Sequence, residues 1–394
     1  MRAKARWHRR APVLALWVAL LVGLVAVPLG APAHADRVPP SAPAIAGPVA
    51  GWPEAPEVTA EAFVLVDAET GQVLAERRSQ HRRPVASTIK VLTALTVLDR
   101  TDVDDVVEVG DEVEVGGASV GLEPGDEWTI EQLLDGLLIR SGNDAAEALA
   151  AHVAGDLDAF IELMAQDAAA LGLADLTLTS VSGLDDGNLL SAADLASLAR
   201  VALDDEQLRP LLGRARSSLP GVGEVVNRNE LLEAYPDATG VKTGYTQAAG
   251  YSLVASARRD GRELVAVVLA SEEDPARFQD AAALLDHGFE DYRSETMSTA
   301  MHLLAGGGAH EVSVPAATVV VPSDAAVALA LGPPARPEPG SLSVGLEVDG
   351  EVLGTVTGEV GQGPEPVTGA ARLGRALADG AYAAMRAATA EGAW

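Results

Sequence analysis

Residues 240–271 read "GVKTGYTQAAGYSLVASARRDGRELVAVVLAS", and the spacing of their apolar residues sets the architecture. Two apolar runs are joined through Asp260 and Gly261, a pair that accepts the positive φ of a tight hairpin turn. "GVKTGYT" ahead of them reads as a further strand. Near the other end of the folded part, "FVLVDAETGQVLAER" (63–77) reads as a hairpin, with 64–67 and 72–76 flanking a turn at Gly71. Helical spacing fills the interval: 88–98 with Ser87 at its N-cap position, then 130–139, 144–152, 157–170 and 192–203, with a last helix over 276–292. Strands at both ends with helices between them predict an α+β domain: one antiparallel sheet assembled from distant segments, plus a helical subdomain.

Outside that domain the composition shifts. Residues 1–35 carry Arg2, Lys4, Arg6, Arg9 and Arg10 ahead of an apolar stretch over 11–29 and an Ala-x-Ala site ending at Ala35, the pattern of an export signal, or of an anchor if it stays uncleaved. Residues 36–58 are rich in Pro and Ala and read as an extended tether. The expected organisation is therefore a signal over 1–35, the tether, and the main domain over 59–295. A small β-rich module over 296–366 and an amphipathic helical tail over 367–394 follow. In that tail Arg372, Arg375, Asp379 and Arg386 share a face opposite Leu373, Leu377 and Met385.

Charge narrows the partners. The formal net charge of -29 becomes -34 once the five cations of the leader are removed, leaving 23 basic against 57 acidic residues. Such a surface repels nucleic acid and anionic membranes, which leaves open only weak membrane contact through the N-terminal segment or the C-terminal tail. There is no cysteine, so the exported chain rests on its core, and the seven histidines show no metal-ligand spacing. No metal and no cofactor are expected.

Lysine usage points to chemistry. Of 28 basic residues only Lys4, Lys90 and Lys242 are lysine, so two positions in the mature chain keep an amine where arginine serves everywhere else. In "VASTIKVLT" (85–93) Ser87 and Lys90 stand one helical turn apart, within reach of each other. A serine needs a base to become a nucleophile, and a buried, neutral lysine can serve where an always-charged arginine cannot. The flanking Ile89, Val91, Leu92 and Leu95 argue for that burial. "GASVG" (117–121) matches a nucleophile elbow, but a turn rather than a helix follows, so Ser119 is set aside. The acidic run over 101–115 has no calcium-loop spacing.

Ser87-x-x-Lys90, Ser141-x-Asn143 and Lys242-Thr243-Gly244 occur in the order that marks penicillin-binding proteins and class A β-lactamases. Together with "GLEPGDEWTIEQLLDGLLIRSGNDAAEALAAHVAG", "LMAQDAAALGL" and the 240–269 segment, they make residues 62–292 resemble the low-molecular-mass penicillin-binding proteins, specifically the D-alanyl-D-alanine carboxypeptidases. The resemblance implies the serine β-lactamase/penicillin-binding-protein fold. It implies an acyl-enzyme on Ser87, Lys90 as base, and Ser141 with Asn143 as the second element that relays protons and holds the substrate amide. Lys242, Thr243 and Gly244 are implied to line the substrate strand, and the N–H groups of Ser87 and Tyr245 to form the oxyanion hole. Arg228 and Arg277 fall where the family places arginines near its substrate. The partners so implied are a peptidoglycan stem peptide ending in D-Ala-D-Ala and β-lactams as covalent inhibitors. A β-lactamase, a transpeptidase and a non-catalytic binding module are the alternatives. The family's usual Ser-Leu-Thr-Lys is Ser-Thr-Ile-Lys here, which bears on rate and preference more than on reaction type.

Overall fold

The computed structural model describes residues 49 and 51–360, apart from 174–175, 306–307 and 332–339. The export segment and the tail helix lie outside the described residues. In chain order, β1 (Ala62–Asp67) and β2 (Val73–Arg77) form the expected hairpin, and β3 (Arg83–Pro84) leads through a 3₁₀ turn, Ala86–Ile89, into α1 (Lys90–Leu98). The ribbon of β4 (Val106–Glu108) and β5 (Glu127–Thr129) precedes α2 (Ile130–Ile139), α3 (Asn143–Ala154) and α4 (Leu157–Ala170). After β6 (Leu189–Leu190) come α5 (Ala192–Asp204), α6 (Leu208–Leu212), the hairpin β7 (Arg216–Leu219) with β8 (Gly223–Val226), and the single turn α7 (Leu231–Ala234). Then β9 (Ala238–Thr246), β10 (Gly250–Arg259), β11 (Arg262–Ser271) and α8 (Asp274–Asp291) complete the domain.

The main sheet runs β2-β1-β11-β10-β9, all antiparallel, so β1 of the N-terminal hairpin pairs with β11, whose residues lie far later in the chain, Ala62 opposite Leu269. Asp260 and Gly261 both have positive φ, 52° and 84°, as the turn between β10 and β11 requires. Both faces of the sheet are covered, and the period-2 alternation sorts the side chains. Phe63, Leu65, Leu253, Ala255, Leu264, Ala266 and Val268 face α8, meeting Phe278, Leu284 and Leu285. Val64, Val66, Val254, Val265, Val267 and Leu269 face the helical side, meeting the larger core built around α1 and α2.

Every residue of α1 is buried, the polar Lys90, Thr93 and Thr96 included. α2 begins at a capping box of Thr129 and Gln132, and α5 at one of Ser191 and Asp194; each satisfies N–H groups that a helix start leaves unpaired. The cap expected at Ser87 fails. α1 has Ile89 and α3 has Gly142 at the N-cap, with no side-chain cap at either, so Ser87, Ser141 and Asn143 are free for other bonds.

The β-module begins at Tyr292, earlier than the expected 296, because α8 passes into β12 (Tyr292–Ala305) without a linker. β13 (Gly308–Pro322), β14 (Val327–Leu331), β15 (Gly340–Val348) and β16 (Glu351–Val360) complete a sheet of order β12-β13-β16-β15-β14. Its joint to the main domain is buried. The Gln72 amide bonds both backbone groups of Val320, at 2.6 and 3.0 Å, and the Tyr292 hydroxyl donates to the Leu74 carbonyl at 3.2 Å. The expected tether also ends sooner than 58, since Trp52 packs edge-on against Tyr292 and Val58 is buried.

Candidate active site

The 3₁₀ turn ahead of α1 sets Ser87 above Lys90. Lys90 Nζ donates to Ser87 Oγ at 3.0 Å, to Asn143 Oδ1 at 2.7 Å and to the Ser182 carbonyl at 2.7 Å. Three acceptors match the three protons of an ammonium. When that group loses one proton, Asn143 Oδ1 and the Ser182 carbonyl, which can only accept here, retain the two remaining N–H bonds. The lone pair then falls toward Ser87 Oγ, whose O–H can donate to it. The turn itself is seated on a loop: Ala86 has φ +48°, and its carbonyl lies where a Cβ on Gly183 would be.

Ser141 is buried in the left-handed region, φ +61°, between α2 and α3. Its Oγ accepts from Lys242 Nζ at 3.1 Å, and Lys242 also donates to the Thr243 carbonyl at 3.0 Å. Asp144, one residue beyond Asn143, is the anchor of the adjoining loop. Its carboxylate accepts from the backbone N–H groups of Val120, Gly121 and Leu122 and from the Ser119 hydroxyl. Ser119 is thus a loop-organising group beside the site. Asn143 adds two bonds to the same loop, N to the Ala118 carbonyl at 2.7 Å and Nδ2 to the Gly116 carbonyl at 2.8 Å.

These elements enclose a cleft of about 300 Å³. Ser87, Ser141, Asn143, Thr243, Gly244, Tyr245, Arg228 and Arg277 all line it, while Lys90 and Lys242 lie buried beneath, reached through the two serines. Gly244 is required by packing: a Cβ there would press on the Val85 carbonyl and Thr88, so glycine lets β9 approach the turn that carries Ser87. Arg277 NH1 donates to the Gly244 carbonyl at 3.2 Å and the guanidinium also pairs with Asp274. It therefore braces the strand as well as lining the cleft.

Burial lowers both amines. Lys90 comes down to about 7, by desolvation first and then by the Arg228 guanidinium, against the opposing pull of Glu147 and Asp144. Lys242 is pushed well below its ordinary value by desolvation, then by Lys90, Arg228 and Arg277. The neighbouring cation that lowers Lys90 is Arg228. Glu147, whose Oε2 has no partner among the described residues, is itself raised by burial. The Ser182 carbonyl, Gly183, Asp144 and Tyr251 were not singled out from the sequence. A backbone acceptor in a loop has no residue-type signature, but the register of Tyr251 opposite Tyr245 follows by counting back from the turn at 247–249.

A serine and a buried amine on adjoining turns, a second serine and amine facing them, and an edge strand alongside define a serine acyl-transfer enzyme of the penicillin-binding-protein fold. Residues 50–273 match the family model of peptidase S11, D-alanyl-D-alanine carboxypeptidase, and the chain belongs to that family. Among its relatives, D-alanyl-D-alanine carboxypeptidase DacB2 of Mycobacterium tuberculosis is 39% identical over 250 residues, 61% of this chain and 86% of that protein. The crystal structure of the M. tuberculosis D-alanyl-D-alanine carboxypeptidase is similar with a TM-score of 0.58 at 38% identity, covering 61% of this chain and 94% of that one. Penicillin-binding protein 6B of Escherichia coli is similar with a TM-score of 0.67 at 28% identity over 79% of this chain and 99% of its own, a span that reaches into the β-module.

Proposed function

We propose that the chain is an exported serine carboxypeptidase that removes the terminal D-alanine from peptidoglycan stem peptides through an acyl-Ser87 intermediate. The observation that carries the reading is Lys90 Nζ held 3.0 Å from Ser87 Oγ with its other protons on Asn143 and Ser182. The neutral amine takes the serine proton as Oγ attacks the carbonyl of the penultimate D-alanine. The Ser141 hydroxyl passes a proton to the departing D-alanine nitrogen and is resupplied from Lys242, with which it is bonded. Water then cleaves the acyl ester and restores Ser87. Lys242 and Thr243 receive the substrate carboxylate, and that anion restores the charge that burial takes from Lys242. The basic leader and Ala-x-Ala site at 33–35 support export. The charge of -34 without the leader argues against tight attachment to an anionic membrane.

Release of D-alanine from a muropeptide-like pentapeptide by the mature chain tests the reading; a folded protein that releases none contradicts it. The base must be neutral, so acylation is expected to slow as pH falls through about 7, where Lys90 takes up its proton. A penicillin acylation rate that is flat from pH 5 to 9 would remove Lys90 as the base. The penicillin adduct itself is expected to persist far longer than a peptidyl one. Rapid multiple turnover of penicillin moves the assignment to a β-lactamase.

A further inference from the structure

Two carboxylates act on the Lys90 amine from outside the cleft lining, and they differ in what else they hold. Asp144 is committed. Its oxygens accept from the backbone N–H groups of Val120, Gly121, Leu122 and Ala145 and from the Ser119 hydroxyl. Glu147 has no such duty. It is 7% exposed on α3, and its Oε2 is enclosed without a hydrogen-bond partner among the described residues. An enclosed carboxyl oxygen that no donor meets is costly to keep, and a cation nearby is what offsets the cost.

Position supplies that cation. Glu147 stands one turn after Asn143, whose Oδ1 accepts from Lys90 Nζ at 2.7 Å, and residues four apart share a helix face. Helical side chains lean toward the start of their helix, so Glu147 leans back over Asn143, on the side where the amine is held. α1, which carries Lys90, packs on α3. Burial first, and then Arg228 on the cleft wall, holds the amine down, while Glu147 and then Asp144 pull it up. Lys242 is lowered in turn by burial, Lys90, Arg228 and Arg277. Glu147 is raised by burial, drawn back by Lys90, and raised further by Glu112 of the 3₁₀ turn Asp111–Val113, against which α3 packs.

We propose that Glu147 is a positioning residue for the base: its carboxylate offsets the Arg228 guanidinium and steadies the ammonium that forms as Lys90 takes the Ser87 proton. In that step the Ser87 O–H bond breaks and an N–H bond forms on Lys90. Glu147 supplies charge and exchanges no proton. The assignment rests on the acyl-transfer reading and deepens it. With Glu147 gone, Arg228 acts on the amine opposed by Asp144 alone, and Lys90 becomes a weaker base.

The mature chain offers a direct readout, because Lys90 and Lys242 are the lysines that remain once the leader carrying Lys4 is removed. Lysine isotopically labelled at Cε then gives one NMR signal for each, told apart by Lys242→Arg. In the wild type the Lys90 signal is expected to titrate near pH 7. Glu147→Gln keeps the shape and removes the charge. It is expected to lower that midpoint by about one unit and to carry the midpoint of penicillin acylation down with it. Glu147→Asp keeps the charge and should hold most of the wild-type midpoint. A merely structural role would lower thermal stability and slow acylation alike at every pH, with neither midpoint moved. Should the amide variant not fold, Glu147→Ala, suited to the alanine-rich α3, reads the same shift. A Lys90 midpoint that stays or rises on loss of the carboxylate overturns the assignment, and so does one that falls equally in Glu147→Asp. A wild type that forms no adduct on Ser87 overturns the acyl-transfer reading, and this role of Glu147 with it.

Discussion

Lys90→Arg is expected to abolish penicillin acylation, with a loss on the order of 10²- to 10⁴-fold, the range for removing a general base. Guanidinium holds its proton at any working pH and cannot accept one from Ser87. Its geometry is also wrong: Asn143 Oδ1 and the Ser182 carbonyl converge on a single nitrogen, not on a planar fork. Lys242→Arg separates the two roles. Its proposed duties are to meet a carboxylate and to supply Ser141, and arginine can perform the first. The loss there is expected to be real but smaller. Acylation rates of both variants, after circular dichroism shows each folded, decide between them. If Lys90→Arg acylates as fast as Lys242→Arg, the division of labour is wrong and Lys90 is not the base.

The second large effect is expected at a residue without a side chain. In Gly183→Ala the new Cβ falls on the Ala86 carbonyl, in the peptide just ahead of Ser87. Gly183 also has φ +71°, where alanine costs about 1–2 kcal/mol. Crowding against backbone adds about 1–3 kcal/mol. Relief requires the Ala86–Ser87 segment to move, and a displacement near 1 Å at a nucleophile costs on the order of 10²-fold in rate. Gly172→Ala is the matched control: its φ of +79° is similar, but an added Cβ there meets nothing within 4 Å. It should show the conformational cost alone, with acylation intact. Thermal unfolding and penicillin acylation of the pair check this. Equal acylation by both variants would mean that Gly183 does not seat the nucleophile turn.

What was legible in the sequence follows from the range of the interactions involved. Strand and helix periods are local, so α2 and α4 fall on the predicted residues and the hairpin at Asp260-Gly261 takes the predicted turn. Pairing of β1 with β11 could be inferred only because each needs a partner and the helices between offer none. The serines and lysines of the site were legible as motif triplets. The expected cap at Ser87 fails, since the preference of serine for helix starts is a statistical tendency, and its hydroxyl instead accepts from a buried amine. Positive φ at Ala86 and Ser141 is tertiary strain that no residue type announces. Arg228 acquires its influence on Lys90 from a backbone bond to the Ile139 carbonyl at the end of α2. That contact spans most of the helical subdomain and leaves no mark in local spacing.

The central claim is that Ser87 becomes acylated because Lys90 takes its proton, and one measurement meets it most directly. The mature chain is incubated with a labelled penicillin, digested, and the modified peptide mapped by mass spectrometry. One stoichiometric adduct on Ser87, absent in Ser87→Ala, is the predicted result. An adduct on Ser119 or at any other residue, or no adduct on a folded protein, would contradict it.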